Sequence, residues 1–268
     1  MGHRPDEAFA IRGPMTARSR LLAGLIVPTV LLAAWLALTS GGTPFVPPDF
    51  LPSPVGSLKG LVELFLDYNL LNAIWTSALR ILIAFALSAG VALPLGILMG
   101  AFTPVQAAFD PVFAPLRYMP ITAFIPLLIL WFGIYEQQKI AFLFLGTFVF
   151  LLPVVVTAVR TVPEELVQTA LTLGASRWQV MRTVLIPHAM PEIFDSFRVM
   201  NAIAWTYVIL AELVNPQAGL GYLLRLAETH HKPAWAFAGL FVIAMIGLIT
   251  DWAIRTSGRL LFRWREAT

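Results

Sequence analysis

The sequence predicts an all-α, polytopic membrane protein with six membrane-spanning helices, and three observations predict it. Of 268 residues, 58% are apolar and 12% charged, against about 45–50% and about 25% in an average soluble domain. The apolar residues fall in blocks as long as the roughly 20 residues that cross a hydrocarbon core of about 30 Å. Arginines and lysines gather on alternate connections between those blocks. A mean hydropathy of +0.79 leaves too little polar surface to cover a soluble fold of this size. A soluble enzyme, a nucleic-acid binder and a disordered chain are thereby excluded. There is no cysteine, which removes disulfides, thiolate nucleophiles and cysteine-ligated metals.

Taken in order, the spans are expected at about 21–39, 77–102, 112–132, 140–159, 193–214 and 234–254, within a transmembrane domain of 21–262 flanked by tails at 1–20 and 263–268. The first block is too long and too poorly followed by small residues to read as a cleavable signal peptide. Residues 43–54 hold five prolines and read as an extended segment, and 55–70 as a short amphipathic helix on the same side. The third block is interrupted by Pro115, Pro120 and Pro126, and the fifth carries Asp195, Arg198 and Glu212. Such features suit a helix inside a bundle or along a polar path, not one facing lipid. Eleven basic residues fall on one side: Arg4, Arg12, Arg18, Arg20, Arg160, Arg177, Arg182, Arg255, Arg259, Arg263 and Arg265. The other side has four, Lys59, Lys139, Arg225 and Lys232. Both termini are therefore expected in the cytoplasm, as an even number of spans requires.

The longest patterned connection is 160–192. Pro163 suits a first helical turn, and Glu164 and Glu165 suit its positive end. Apolar residues recur at helical spacing at Val167, Leu171, Trp178, Met181 and Leu185, with Gly174 breaking the row. Ser176-Arg177-Trp178-Gln179 has the form of a capping box. The spacing predicts two short helices that turn at Gly174–Ser176 and end before Pro187. Their apolar stripe lies outside the bilayer, so it either docks on a partner or lies on lipid.

The stretch from Glu165 to Pro187 resembles the Glu-Ala-Ala loop of bacterial ABC importer permeases. Aligned on Gly174, that motif falls on Gln168-Thr169-Ala170 and closes with Val184-Leu185-Ile186-Pro187. Ala170, Gly174 and Pro187 match, whereas Gln168 lacks the charge of the motif's Glu. Phe50–Pro54, Thr76–Arg80, Pro120–Ile134 and Ala211-Glu212 with Gly219-Leu220-Gly221-Tyr222 are similar to the nitrate/sulfonate/taurine/bicarbonate type. The resemblance spans about 45–262 and implies a type I importer permease of the bacterial inner membrane. It implies a second permease copy, two cytoplasmic ATPase subunits that hold ATP and Mg, and a periplasmic or lipid-anchored receptor. It implies transport of a small anion of sulfonate, taurine, nitrate or bicarbonate type, and no enzyme activity in this chain. The lysines, Lys59, Lys139 and Lys232, all lack the preceding glycine of a phosphate-binding loop.

The resemblance points to Ala170, Leu171, Gly174, Ala175, Ser176, Arg177, Trp178 and Met181 as the ATPase-docking residues. Arg177 and Arg182 pair either with acidic groups of the ATPase or with lipid phosphates. Arg117, Tyr118, Pro120 and Thr122 in the third span, and Asn201, Trp205, Thr206 and Tyr207 in the fifth, are candidates for the translocation path. The same groups also join packed helices. Glu212 is a candidate for an outer gate with Gly219-Leu220-Gly221, or a carboxylate in interfacial water. Asp195 and Arg198, one turn apart, are expected to form a local ion pair. The adjacent His230 and His231 do not share a helix face, which argues against a metal site. Gly174-Ala175-Ser176 lacks the second glycine of a nucleophile elbow. A self-contained secondary transporter or channel is the alternative class, and would show coupling acids deep in the bundle and an inverted repeat. An intramembrane enzyme would need a buried base, and His3, His188, His230 and His231 all fall outside the spans.

Overall fold

The structure is a computed structural model that describes residues 16–40 and 45–263. Arg4, Arg12 and Arg265 lie outside the described residues, as do positions 41–44 of the proline-rich segment. Among the described residues there are eleven α-helices and no strand. Five helices are long and apolar enough to cross a membrane alone, and one bent pair completes a sixth crossing.

α1 (Ala17–Thr39) is apolar all round and buries no residue. It is held at its far end, where Trp35 donates from Nε1 to the carbonyl of Pro52 at 2.9 Å and stacks on Phe241. α2 (Pro54–Asp67) is capped by Ser53 and ends at the left-handed Asn69. α3 (Leu70–Ala101) then runs for 32 residues, so the second span begins seven residues before the expected 77. One stripe of α3, Ala84, Ser88, Ala92, Gly96 and Gly100, is small. Gly96 and Gly100 let α6 (Glu136–Arg160) approach so closely that an added Cβ would stand 2.7 Å from Val155 and 2.6 Å from Val159. Small residues four apart are how helices close in without a hydrophobic drive between them. Ser88 meets Thr147 in the same seam at 2.5 Å.

The pairs Arg80–Glu136, Ser88–Thr147 and Gly96–Val155 advance together, so α3 and α6 run parallel. The chain between them must return across the membrane. It does so in two pieces: α4 (Thr103–Leu116), then a 3-10 turn (Ile121–Phe124) leading into α5 (Ile125–Phe132), with a 90° bend. The single span expected at 112–132 is thus a broken crossing starting at Thr103. Pro115 and Pro120 flank the bend, and each removes a backbone donor that a straight helix would need.

α7 (Glu164–Thr172) and α8 (Arg177–Val180) make the long connection. A π-helical turn (Met181–Leu185) joins α8 without interruption to α9 (Ile186–Leu213). The second short helix therefore does not end before Pro187, which lies inside the continuous helix directly after the π-helical turn, where its missing N–H leaves a carbonyl of the preceding turn without that donor. α9 packs antiparallel on α6, then α10 (Leu220–Thr229) and α11 (Pro233–Leu261) follow. With the bent pair counted as one crossing, the described chain ends and the α7–α8 corner share one face, here the terminal face. α2 and α10 lie on the opposite face.

Candidate functional site

The corner between α7 and α8 is built by local rules. Ala175 N–H bonds the carbonyl of Ala170 at 3.1 Å and Gly174 N–H that of Leu171 at 2.9 Å. This is a Schellman closure, with Gly174 at φ +85°. Ser176 Oγ accepts from the N–H of Gln179, and Gln179 Oε1 accepts from the N–H of Ser176 at 2.7 Å, which is the expected capping box. Gln168 donates to Glu164 Oε1 at 2.6 Å, an uncharged tie within α7. Of the docking candidates, Leu171 and Trp178 are exposed and Ala170 and Ala175 half-buried. Trp178 rests one edge on Phe102, between α3 and α4, with 58% of its surface open. Leu166 and Leu173 add to the uncovered ridge. Met181 is 7% exposed and Val180 is buried beside it. Arg177 and Arg182 are exposed beside it.

The path candidates separate. Arg117, Tyr118, Pro120 and Thr122 all sit at the 90° bend. Arg117 lines a cavity of about 220 Å³ between α4 and α6 with Gln106, Asp110 and Thr157. Asn201 and Trp205 face α11, each donating to Thr250 Oγ1, at 2.9 and 3.2 Å. Tyr207 turns to α6, its ring edge-on to Phe142 and flat against Gly146. Thr206 bonds back to the carbonyl of Ala202 on the exposed side. Asn201 and Trp205 tie α9 to α11 and also line a cavity of about 380 Å³ with Phe85, Phe197 and Thr250, Tyr207 packs on α6, and of the bend group Arg117 borders a cavity.

Glu212 is fully buried and not in interfacial water. Ser77 donates to its Oε1 at 2.6 Å, Arg80 Nη1 at 2.7 Å, and the N–H of Gly221 to its Oε2 at 2.7 Å. Gly219, at φ +102°, lets the loop fold over the carboxylate. Arg80, 4% exposed, also grips Glu136 with Nε and Nη2, at 2.6 and 2.5 Å. Lys139, expected in an outer loop, is a buried residue of α6 with Nζ 3.4 Å from Glu136. One cluster thus ties α3, α6, α9 and the start of α10 near the opposite face. A buried charge without these partners would be prohibitive in such a place.

Arg198 corrects a second expectation. Its guanidinium makes a two-pronged pair with Asp251 of α11, at 2.7 and 2.8 Å. Partner choice follows from geometry: a planar fork fits a carboxylate presented head-on by a facing helix better than one on its own helix.

Residues 92–263 match the family described as binding-protein-dependent transport system inner membrane component. The chain belongs to that family. It is a multi-pass permease component of an ABC importer. It is 33% identical over 257 residues, 95% of this chain and 91% of the relative, to a Bacillus subtilis (strain 168) protein named as an aliphatic sulfonates transport permease, SsuC. It is 31% identical to the taurine transport system permease TauC of Escherichia coli (strain K12), over 94% of this chain and 92% of that one. Its fold is shared with the MetNI methionine transporter, at 18% identity and TM-score 0.61, covering 74% of this chain and 96% of that one. A bacterial importer of the polysaccharide alginate shares it too, at 17% identity and TM-score 0.57, covering 91% and 97%.

Within this permease, sequence reasoning missed Ser77, Arg80, Glu136, Lys139 and Asp251. The signal for Arg80 was present: a lone arginine inside a 32-residue apolar helix demands an acidic partner. Which acid answers it depends on the register of α6 and α9, which no local pattern encodes.

Proposed function

We propose that this permease, as a pair of copies, forms the membrane path for a small organic anion of sulfonate type. A separate ATPase subunit drives it through α7 and α8, and a substrate-binding protein loads it from the opposite face. The terminal face is then cytoplasmic, as the basic residues at Arg18, Arg20, Arg160, Arg177, Arg182, Arg255 and Arg259 favour.

One observation carries the reading. A ridge of Leu166, Leu173 and Trp178 stands uncovered on a rigidly capped corner, and that corner continues unbroken into α9. The 28 residues of α9 make a rod of about 42 Å with the drive surface at one end and Glu212 near the other. A push on Trp178 therefore reaches the Glu212 cluster without passing through a loop. A ligand shifts such an equilibrium only through different contacts in the two states; ATP binding by the partner would supply the difference at the ridge. Arg117 offers an anion a cation on the cavity wall at the bend, with Asp110 on the same wall. The relatives named for sulfonates and taurine support that class.

The test is co-purification and coupled assay. The permease reconstituted with its ATPase and binding protein should take up a sulfonate only with ATP. Trp178→Ala should remove most ATPase binding while leaving the fold intact. Uptake by the permease alone, driven by an ion gradient, would overturn the reading.

A further inference from the structure

The terminal-face end of α11 carries a charged stripe that the transport reading leaves unused. Asp251, Arg255 and Arg259 recur every four residues on one face of α11, where they are the charged residues, a spacing that stacks them. Facing them on α9 are Asp195 and Arg198. Between the two helices lies a cavity of about 300 Å³ lined by Pro191, Asp195, Arg198, Arg255, Arg259 and Phe262. Its wall is firm. Gly258 admits the ring of Phe194, which an added Cβ would crowd at 3.0 Å, and Phe194 meets Phe262 edge-on at 5.6 Å. The Arg198–Asp251 pair closes the end nearest the membrane interior. Among the described residues, three guanidinium groups and the carboxylate of Asp195 line this recess between two spans.

We propose that this recess seats the headgroup of an anionic phospholipid, with the phosphodiester on Arg255 and Arg259. Depth and flanks support a lipid as the source of the phosphate. Trp252 is 67% exposed one turn before Arg255, and exposed tryptophans mark the level where hydrocarbon meets headgroups. Toward the membrane interior, Met245, Leu248 and Ile249 present open apolar surface for the acyl chains. A pocket between membrane helices lined by several arginines suits a lipid headgroup by chemistry.

The test uses the full chain purified in neutral detergent, with bound lipid read by native mass spectrometry and by shift in Tm. Phosphatidylglycerol should be retained and should raise Tm, whereas phosphatidylcholine should do neither. Arg255→Ala with Arg259→Ala should weaken retention roughly 30-fold. The conservative pair Arg255→Lys with Arg259→Lys should keep most of it, which separates charge from folding. Arg18→Ala with Arg20→Ala, equally basic and on the same face, should change nothing. Equal retention by the double alanine variant would overturn the proposal. So would full competition by glycerol 3-phosphate, which would make this a soluble-phosphate site. Loss of ATPase co-purification with lipid retention unchanged would also overturn it, because the stripe would then be a protein contact. The readout needs no transport, so a failure of the importer reading leaves it standing.

Discussion

Arg80 is the residue on which the opposite-face end of the bundle depends. Replacing it with alanine leaves Glu212 buried without its cation, and breaking a buried pair this way costs about 3–5 kcal/mol. Arg80→Ala should therefore lower the unfolding temperature in detergent sharply. Arg80→Leu combined with Glu212→Leu should recover much of the loss, since an apolar pair of similar volume removes the stranded charge. An equal melting temperature for the single and double variants would show that the charges do not act as a pair. Ser77 belongs to the same test on a smaller scale: it donates to Glu212 and accepts from the N–H of Leu220 at 2.9 Å, so Ser77→Ala leaves the Leu220 N–H without its acceptor and removes one of three donors from Glu212. Trp178 is the contrasting case. Its open ring contributes little to the fold, so Trp178→Ala should leave the melting temperature nearly unchanged while ATPase binding falls.

At the scale of elements, the α7–α8 corner and the α3–α6 seam obey different rules. The corner is made by local chemistry. A side chain at Gly174 in the left-handed region costs about 1–2 kcal/mol, and loss of the Ser176 cap costs about 1 kcal/mol. Gly174→Val should uncouple ATP hydrolysis from uptake without preventing insertion, read as ATPase turnover retained with transport lost. The seam is made by close approach. Gly96→Leu or Gly100→Leu must push α6 off α3, since Val155 and Val159 already occupy the space, and should abolish stable insertion. The bend between α4 and α5 is an element of its own kind: two short apolar pieces at 90° that together make one crossing.

At the scale of the molecule, the parallel run of α3 and α6 forces the bent pair to return the chain, and six crossings place both described ends together. The absence of native cysteine makes this easy to check by labelling. Single cysteines at Arg177 and Ala17 should react from one side of sealed vesicles, and cysteines at Lys59 and Thr229 from the other. Labelling of Arg177→Cys and Thr229→Cys from the same side would remove the six-crossing arrangement. α1 touches its own chain through Trp35 near its far end and has no fully buried residue, so most of its surface faces lipid or a second copy.

By itself the sequence determined what depends on near neighbours. Apolar blocks set the spans to within a few residues at most ends, because crossing a bilayer is a length requirement. The Gly174 turn and the Ser176–Gln179 box were legible because their partners lie three to five residues apart. Only the tertiary structure decided who answers each buried charge. Arg80 reaches Glu212 across 132 positions, and Arg198 takes Asp251 across 53 although Asp195 is one turn away. Pairings of that reach follow from helix register and rotation, which are properties of the packed bundle and not of any one segment. The same holds for the third crossing: its prolines announced a break, but only the register of α3 against α6 shows that the broken pieces still carry the chain across.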